Sequence, residues 1–136
     1  RFRARHQARE LARDDVDEAA RLLREAPAEC PPDAGDRFNL VSVLVRRGRF
    51  AEARPLADAL LARFELPPRY HAPLLYLDGV AALRTGDAAR AERRLTAALA
   101  EGLGQCAIFA RLAEATAAQG RSDDSLGWRR RLDACR

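Results

Sequence analysis

Apolar residues along this chain recur at helical spacing, in stretches that end at a turn residue and then resume. After Gly48 they fall three and four residues apart on one stripe, and the same happens after Gly86. The stretches before these turns, 38–45 and 74–83, are apolar on more sides, which is typical of helices covered by neighbours. The pattern therefore predicts a series of helical hairpins and an all-α fold.

The turn residues repeat at a nearly constant spacing. They follow one another at intervals of 34, 38 and 34 residues: Asp14, Gly48, Gly86 and Gly120. Glycine permits the left-handed backbone that ends a helix, and we expect Asp87 and Ser122 to cap the helices that follow two of the turns. A period of this length predicts about four repeats and about eight helices. In a single domain the units would lie at approximately 1–33, 34–69, 70–105 and 106–136.

Prolines mark the gaps between the predicted units. Pro31 and Pro32, and then Pro67 and Pro68, should each stop a helix, because proline cannot continue one and restricts the residue before it. We expect Pro73 to occupy the first turn of the next helix, where its missing N–H costs little.

These hairpins resemble tetratricopeptide repeats, a family whose unit is a helical hairpin of about 34 residues. Small residues in that family lie where the two helices come closest, seven before and five after the turn. The pairs at those positions here are Gln7 and Ala19, Val41 and Ala53, Gly79 and Ala91, and Ala113 and Ser125. The family's closing proline is matched by Pro31 and its alanine twelve after the turn by Ala26 and Ala98. The resemblance covers almost the whole chain and implies a right-handed α-solenoid.

The resemblance also implies a concave groove, lined by the first helix of each hairpin, in which an extended peptide or a helix of a partner protein docks. The residues expected to line it are Arg5, Phe38, Asn39, Ser42, Arg46, Tyr76, Val80, Arg84, Arg111 and Glu114. Arg46 and Arg84 both lie two residues before a turn, so we expect them side by side. Two guanidiniums can hold a carboxylate bidentately, which favours an acidic partner or a C-terminal carboxylate. In a plainer interpretation, these arginines only complement helix dipoles, and Phe38 and Tyr76 only pack between units.

Two other functions compete with protein binding. The net charge of +4, carried by arginine without lysine, is compatible with a nucleic-acid-binding α-solenoid. Acidic residues alternate with the arginines along most of the chain, however, which argues against a continuous phosphate-binding face. The last unit has Gly127 within its second helix, so an uncapped end around Leu126 and Trp128 would instead support self-association. We expect a protein-binding scaffold, with these two functions as alternatives.

Motifs for catalysis or metal binding are missing from the sequence. His6 and His71 lie in different units, and neither has a cysteine or carboxylate at metal-ligand spacing. The sequence contains no glycine-rich phosphate loop. We therefore expect no enzymatic activity and no cofactor, and we expect His71 to lie in a loop.

Cysteine content leaves the cellular compartment open. Cys30, Cys106 and Cys135 are too few and too scattered for a disulfide framework, and Cys106 is interpreted as a small buried hydrophobe. The chain has no methionine, no signal-peptide pattern and no long apolar run. We expect a soluble piece of a longer protein, with the cytoplasm favoured.

Overall fold

The computed structural model describes residues 17, 20–21, 33–63 and 66–135. Within this part the chain is all-α, as predicted, and six helices follow one another without a strand: α1 (Ala34–Arg46), α2 (Phe50–Arg63), α3 (Pro68–Arg84), α4 (Ala88–Ala100), α5 (Ala107–Ala118) and α6 (Ser122–Ala134). The predicted first unit lies almost wholly outside the described residues, so the count of eight helices is not matched. Other predicted features outside them are Arg5, Gln7, Asp14, Ala19, Ala26, Pro31 and Pro32.

Side chains cap two of the helices at their N-termini. At α1, Asp33 and Asp36 form a reciprocal capping box, in which the Asp36 N–H donates to Asp33 Oδ1 at 2.8 Å. At α4, the Asp87 carboxylate accepts from the backbone N–H three residues later at 3.2 Å, which confirms the predicted cap. The predicted cap at Ser122 is wrong, because α6 starts at Ser122 itself and the preceding Arg121 makes no side-chain cap.

The three hairpins turn in the same way. Their glycines adopt the left-handed backbone that the sequence predicted, with φ of +76° at Gly48, +88° at Gly86 and +76° at Gly120. The N–H of the following residue donates to a carbonyl five residues earlier at 2.8, 2.8 and 3.0 Å respectively. This bond satisfies a carbonyl that the end of the helix would otherwise leave free.

The four-residue insertion between the second and third turns lengthens α3. This helix has 17 residues against 13 in α1, which is about one extra turn. It begins at Pro68, and proline suits the first helical position. Pro73 therefore lies inside the helix, and the prediction that Pro73 occupies the first turn is wrong. His71 also lies in α3 rather than in a loop, and its Nδ1 is 2.7 Å from the carboxylate of Glu101.

The chain forms two compact units, Arg1–Tyr70 and His71–Arg136. In the first unit α1 packs on α2, and in the second α5 packs on both α4 and α6. Two of the predicted small pairs lie at contacts between helices. A Cβ on Gly79 would lie 3.4 Å from the Ala91 carbonyl oxygen, and the Ser125 hydroxyl donates to the Ala113 carbonyl at 2.8 Å. No helix in the described part is both long and apolar enough to cross a membrane.

Candidate functional site

Three of the predicted groove residues in the second unit come together. One oxygen of the Glu114 carboxylate on α5 accepts from Arg84 on α3 at 2.9 Å, and the other pairs with Arg111 at 2.9 Å. The side chains of Arg84, Arg111 and Glu114 are 40%, 25% and 39% exposed, so solvent screens these ion pairs. The two guanidiniums therefore hold a carboxylate while remaining accessible. Tyr76 and Val80 are half-buried on α3.

The predicted groove residues of the first unit lie on α1 and differ in exposure. Phe38 is half-buried and its ring centroid lies 5.1 Å from that of Tyr70, so this side chain contributes to packing. Ser42 is half-buried, whereas Asn39 and Arg46 are exposed. Arg46 lies in the last turn of α1 and has no ion-pair partner among the described residues. Arg46 and Arg84 belong to different units, and their adjacency stays a prediction.

One solved structure resembles the chain over nearly its whole length. It is a mutant of MamA, a protein with tetratricopeptide repeats, with a TM-score of 0.68 over 98% of this chain and 95% of that chain. The fold is a tetratricopeptide-like helical repeat. The two sequences are 18% identical, so the likeness shows the fold alone. No family model and no curated protein matches the sequence.

A buried charge cluster joins α3 to α4. The Asp78 side chain is fully buried, and its Oδ2 accepts from Arg90 Nη2 at 2.9 Å and from Arg94 Nε at 2.9 Å. Its Oδ1 has no hydrogen-bond partner. The sequence did not indicate this cluster, because a single aspartate in an apolar run carries no pattern of its own. Its position eight residues before the turn, where Leu40 and Leu112 occur in the other hairpins, is the signal that could have revealed it.

Arginines directly after two of the turn glycines bridge to the preceding repeat. Arg49 bonds Glu52 of its own helix and Asp17 of the predicted first unit at 2.6 Å, and these hydrogen bonds raise its pKa above the usual value. Arg121 likewise pairs with Glu92 on α4 at 2.5 Å and with Asp124, which raises its pKa in the same way. Both ion pairs are open to solvent, which screens them, so each contributes a weak link between consecutive repeats.

A disulfide closes the last hairpin. Cys106, just before α5, is bonded to Cys135, just after α6, with their Cα atoms 5.7 Å apart. The interpretation of Cys106 as a buried hydrophobe is therefore wrong, and both cysteines are only half-buried. The sequence did not indicate this pairing, because the two residues come together only when α5 and α6 lie antiparallel over their full lengths.

Aromatic and basic side chains cover part of the same hairpin. The rings of Phe109 and Trp128 stack with centroids 6.1 Å apart, and the Arg131 guanidinium lies 4.7 Å from the first ring and 5.0 Å from the second. Leu126 is 50% exposed and is the only large hydrophobic residue of the described part classed as exposed. The structure thus makes Trp128 part of the packing and leaves Leu126 open to solvent.

An open groove of about 410 Å³ runs between α5 and α6. It is lined by Ala110, Ala113, Glu114, Arg129, Leu132 and Asp133. In the preceding hairpin the positions of Arg129 and Asp133 hold Leu95 and Leu99, and Leu95 is fully buried. The last hairpin thus carries charged groups where its predecessor is apolar.

No group of three or more His, Cys, Asp or Glu side chains suited to a metal ion occurs in the part that the structure describes. The expectation that the chain needs no cofactor stays a prediction.

Proposed function

We propose that the chain is a non-catalytic module that binds a peptide or helix of a partner protein along the first helices of its hairpins. The helical-repeat fold supports this proposal, because stacked hairpins create extended surfaces that suit such ligands. The observation that carries it is the cluster on α3 and α5, where Arg84 and Arg111 hold the carboxylate of Glu114. In this cluster the Glu114 carboxylate occupies the position that a carboxylate of the partner would take.

The same cluster favours an acidic partner. A carboxylate of the ligand would take the place of Glu114 between the two guanidiniums, where charge-assisted hydrogen bonds are stronger than neutral ones. Arg46, exposed and without an ion-pair partner among the described residues, supplies further positive charge on a first helix. An acidic segment or a C-terminal carboxylate would match this charge.

Nucleic-acid binding receives less support from the described side chains. Arg49 and Arg121 are paired with carboxylates of neighbouring repeats, and Arg90 and Arg94 neutralise Asp78. These arginines are spread over separate helices and turns and neutralise acidic groups of the chain, so the net charge overstates any continuous basic surface for phosphates.

A pull-down with a charge-matched control tests the proposal. We expect the parent chain to capture a protein from the source cell's lysate, and we expect Arg46→Ala/Arg84→Ala to lose it. The control is Arg93→Ala/Arg130→Ala, which removes the same charge from exposed second-helix positions. Equal helicity by circular dichroism shows that the variants are folded.

The outcomes separate the competing explanations. Retention by the control and loss by the groove variant supports the proposal, and cross-links from the captured protein should then map to α1, α3 and α5. Equal capture by all three chains contradicts it. Loss of the captured material after nuclease treatment would assign the binding to nucleic acid.

Self-association is the second candidate function, and Leu126, which is 50% exposed on α6, is the residue at which it can be tested. Light scattering coupled to size exclusion, over a dilution series, tests this candidate. A concentration-dependent mass that Leu126→Glu abolishes would support it, and a monomer at every concentration contradicts it.

A further inference from the structure

The last helix is held to the fold by few buried groups. Ser125 is the one buried side chain of α6, whereas α4 buries Ala91, Leu95 and Ala98. A Cβ added at Gly127 would meet no atom within 4 Å, so the middle of α6 leaves open space around it. Such sparse burial is typical of elements that open locally at low free-energy cost.

The helix packs on α5 along its length, and the disulfide also fixes it at its far end. The turn at Gly120 connects α5 to the start of α6, and the Cys106–Cys135 bond, with a sequence separation of 29, connects the start of α5 to the end of α6. Both ends of α6 are thus covalently tied to α5. While the bond is intact, α6 cannot swing away as a unit.

We propose that the Cys106–Cys135 disulfide is a redox-sensitive clasp, and that its reduction by a dithiol releases α6 from α5. Both cysteines are half-buried rather than enclosed in the core, and thiol–disulfide exchange requires such access to the bond. Release uncovers the side of α5 that carries Phe109 and Ala113, because these residues contact Trp128 and Ser125 of α6. The exposed surface of this hairpin therefore depends on the thiol state.

The chemistry is a balanced thiol–disulfide exchange. A thiolate of the dithiol attacks one cystine sulfur, the bond between the two Sγ atoms breaks, and a mixed disulfide forms. The second thiol of the reagent then closes a cyclic disulfide and expels the remaining cysteine. Two electrons and two protons pass from the dithiol to the protein, which leaves Cys106 and Cys135 as thiols.

Hydrogen exchange resolved by peptide tests the clasp in the full chain, with Cys30→Ser present to remove the third thiol. We expect α6 amides to be protected in the oxidised protein and to exchange on the order of a hundredfold faster after dithiothreitol, since loop closure of this size contributes an effect of that order. Exchange in α3 and α4 should not change. Cys106→Ser/Cys135→Ser should behave as the reduced protein with or without dithiothreitol.

Each other outcome overturns the proposal. Equal protection of α6 before and after reduction means that packing alone holds the helix. Parallel loss of protection in α3, α4 and α6 means that the bond only stabilises the whole fold. Alkylation of both cysteines after treatment with glutathione disulfide means that the bond does not form. If the clasp is correct, reoxidation restores α6 protection.

Discussion

Replacing Asp78 with leucine tests whether the buried charge cluster between α3 and α4 stabilises the fold. Asp78 lies eight residues before its turn glycine, where the other hairpins have Leu40 and Leu112. The exposed fractions of Asp78, Leu40 and Leu112 are 0%, 5% and 0%. The same site in the hairpin therefore holds a buried leucine in two of the three copies that the structure describes.

The opposing contributions to the free energy of unfolding are similar in size. Burying the carboxylate costs several kcal/mol, and the unpartnered Oδ1 adds about 1–3 kcal/mol of uncompensated desolvation. The bonds from Arg90 and Arg94 to Oδ2 offset this cost. A buried leucine would contribute about 1.5–3 kcal/mol. The two guanidiniums, 17% and 29% exposed, can turn towards water once the carboxylate is gone.

We therefore expect Asp78→Leu to lie within about 1 kcal/mol of the parent in unfolding free energy. Asp78→Asn keeps the shape of the side chain but removes its charge, so the arginines lose a buried ionic partner without gaining an apolar contact. This variant should be less stable than the parent by about 3 kcal/mol. The leucine variant should thus unfold at a clearly higher denaturant concentration than the asparagine variant.

Urea unfolding followed by far-UV circular dichroism and by the fluorescence of Trp128, the only tryptophan, measures the difference. Coincident transitions with unchanged slopes would allow the midpoints to be compared as stabilities. Equal destabilisation by leucine and asparagine would refute the reasoning, because it would mean that the ion-pair geometry contributes more than the carboxylate burial costs.

The remaining predictions concern close packing, the last hairpin and the groove. Gly79→Ala should lower the unfolding free energy by about 1–3 kcal/mol, because its Cβ would lie 2.8 Å from Leu95 Cγ. Gly127→Ala should raise the unfolding free energy by about 0.5–1 kcal/mol, because no atom lies within 4 Å of the added Cβ. If urea unfolding shows that the two alanine variants change the stability in the same direction, both predictions are contradicted. Ser125→Ala removes a 2.8 Å hydrogen bond to α5 and should cost about 1 kcal/mol, while an unchanged midpoint would show that the bond contributes nothing. Glu114→Gln should strengthen binding of a labelled acidic peptide in a fluorescence anisotropy titration, and unchanged affinity would argue against displacement of Glu114.

The sequence predicts the hairpins well because their determinants are local. A left-handed backbone at the turn requires glycine, so Gly48, Gly86 and Gly120 indicate the turns directly. The close approach of two helices requires small residues, so the pair of Gly79 and Ala91 indicates where they meet. The four-residue insertion is visible in the spacing. The lengthening of α3 is not visible in the spacing, because Pro68 is compatible with ending one helix and with starting the next.

The charged contacts could not be predicted in the same way, because they depend on distances between separate helices. Glu114 was expected in the groove, but its position between Arg84 and Arg111 requires the stacking of α5 beside α3. The pairing of Cys106 with Cys135 likewise depends on where α5 begins and α6 ends. Periodicity determines which face of a helix is buried, whereas such pairings depend on the rotation and offset between helices.

The position of each arginine relative to a turn also bears on function. Arg49 and Arg121, directly after turn glycines, link consecutive repeats, and the two arginines around Asp78 neutralise a buried carboxylate. Arg46 and Arg84, two residues before their turns, lie instead on first helices and are exposed. In the proposed function a partner contacts these basic groups at the ends of first helices, whereas exposed arginines such as Arg93 and Arg130 lie on second helices. The small set on the first helices suits a few carboxylates of a protein better than the regular phosphates of a nucleic acid, which is why the proposed partner is an acidic segment.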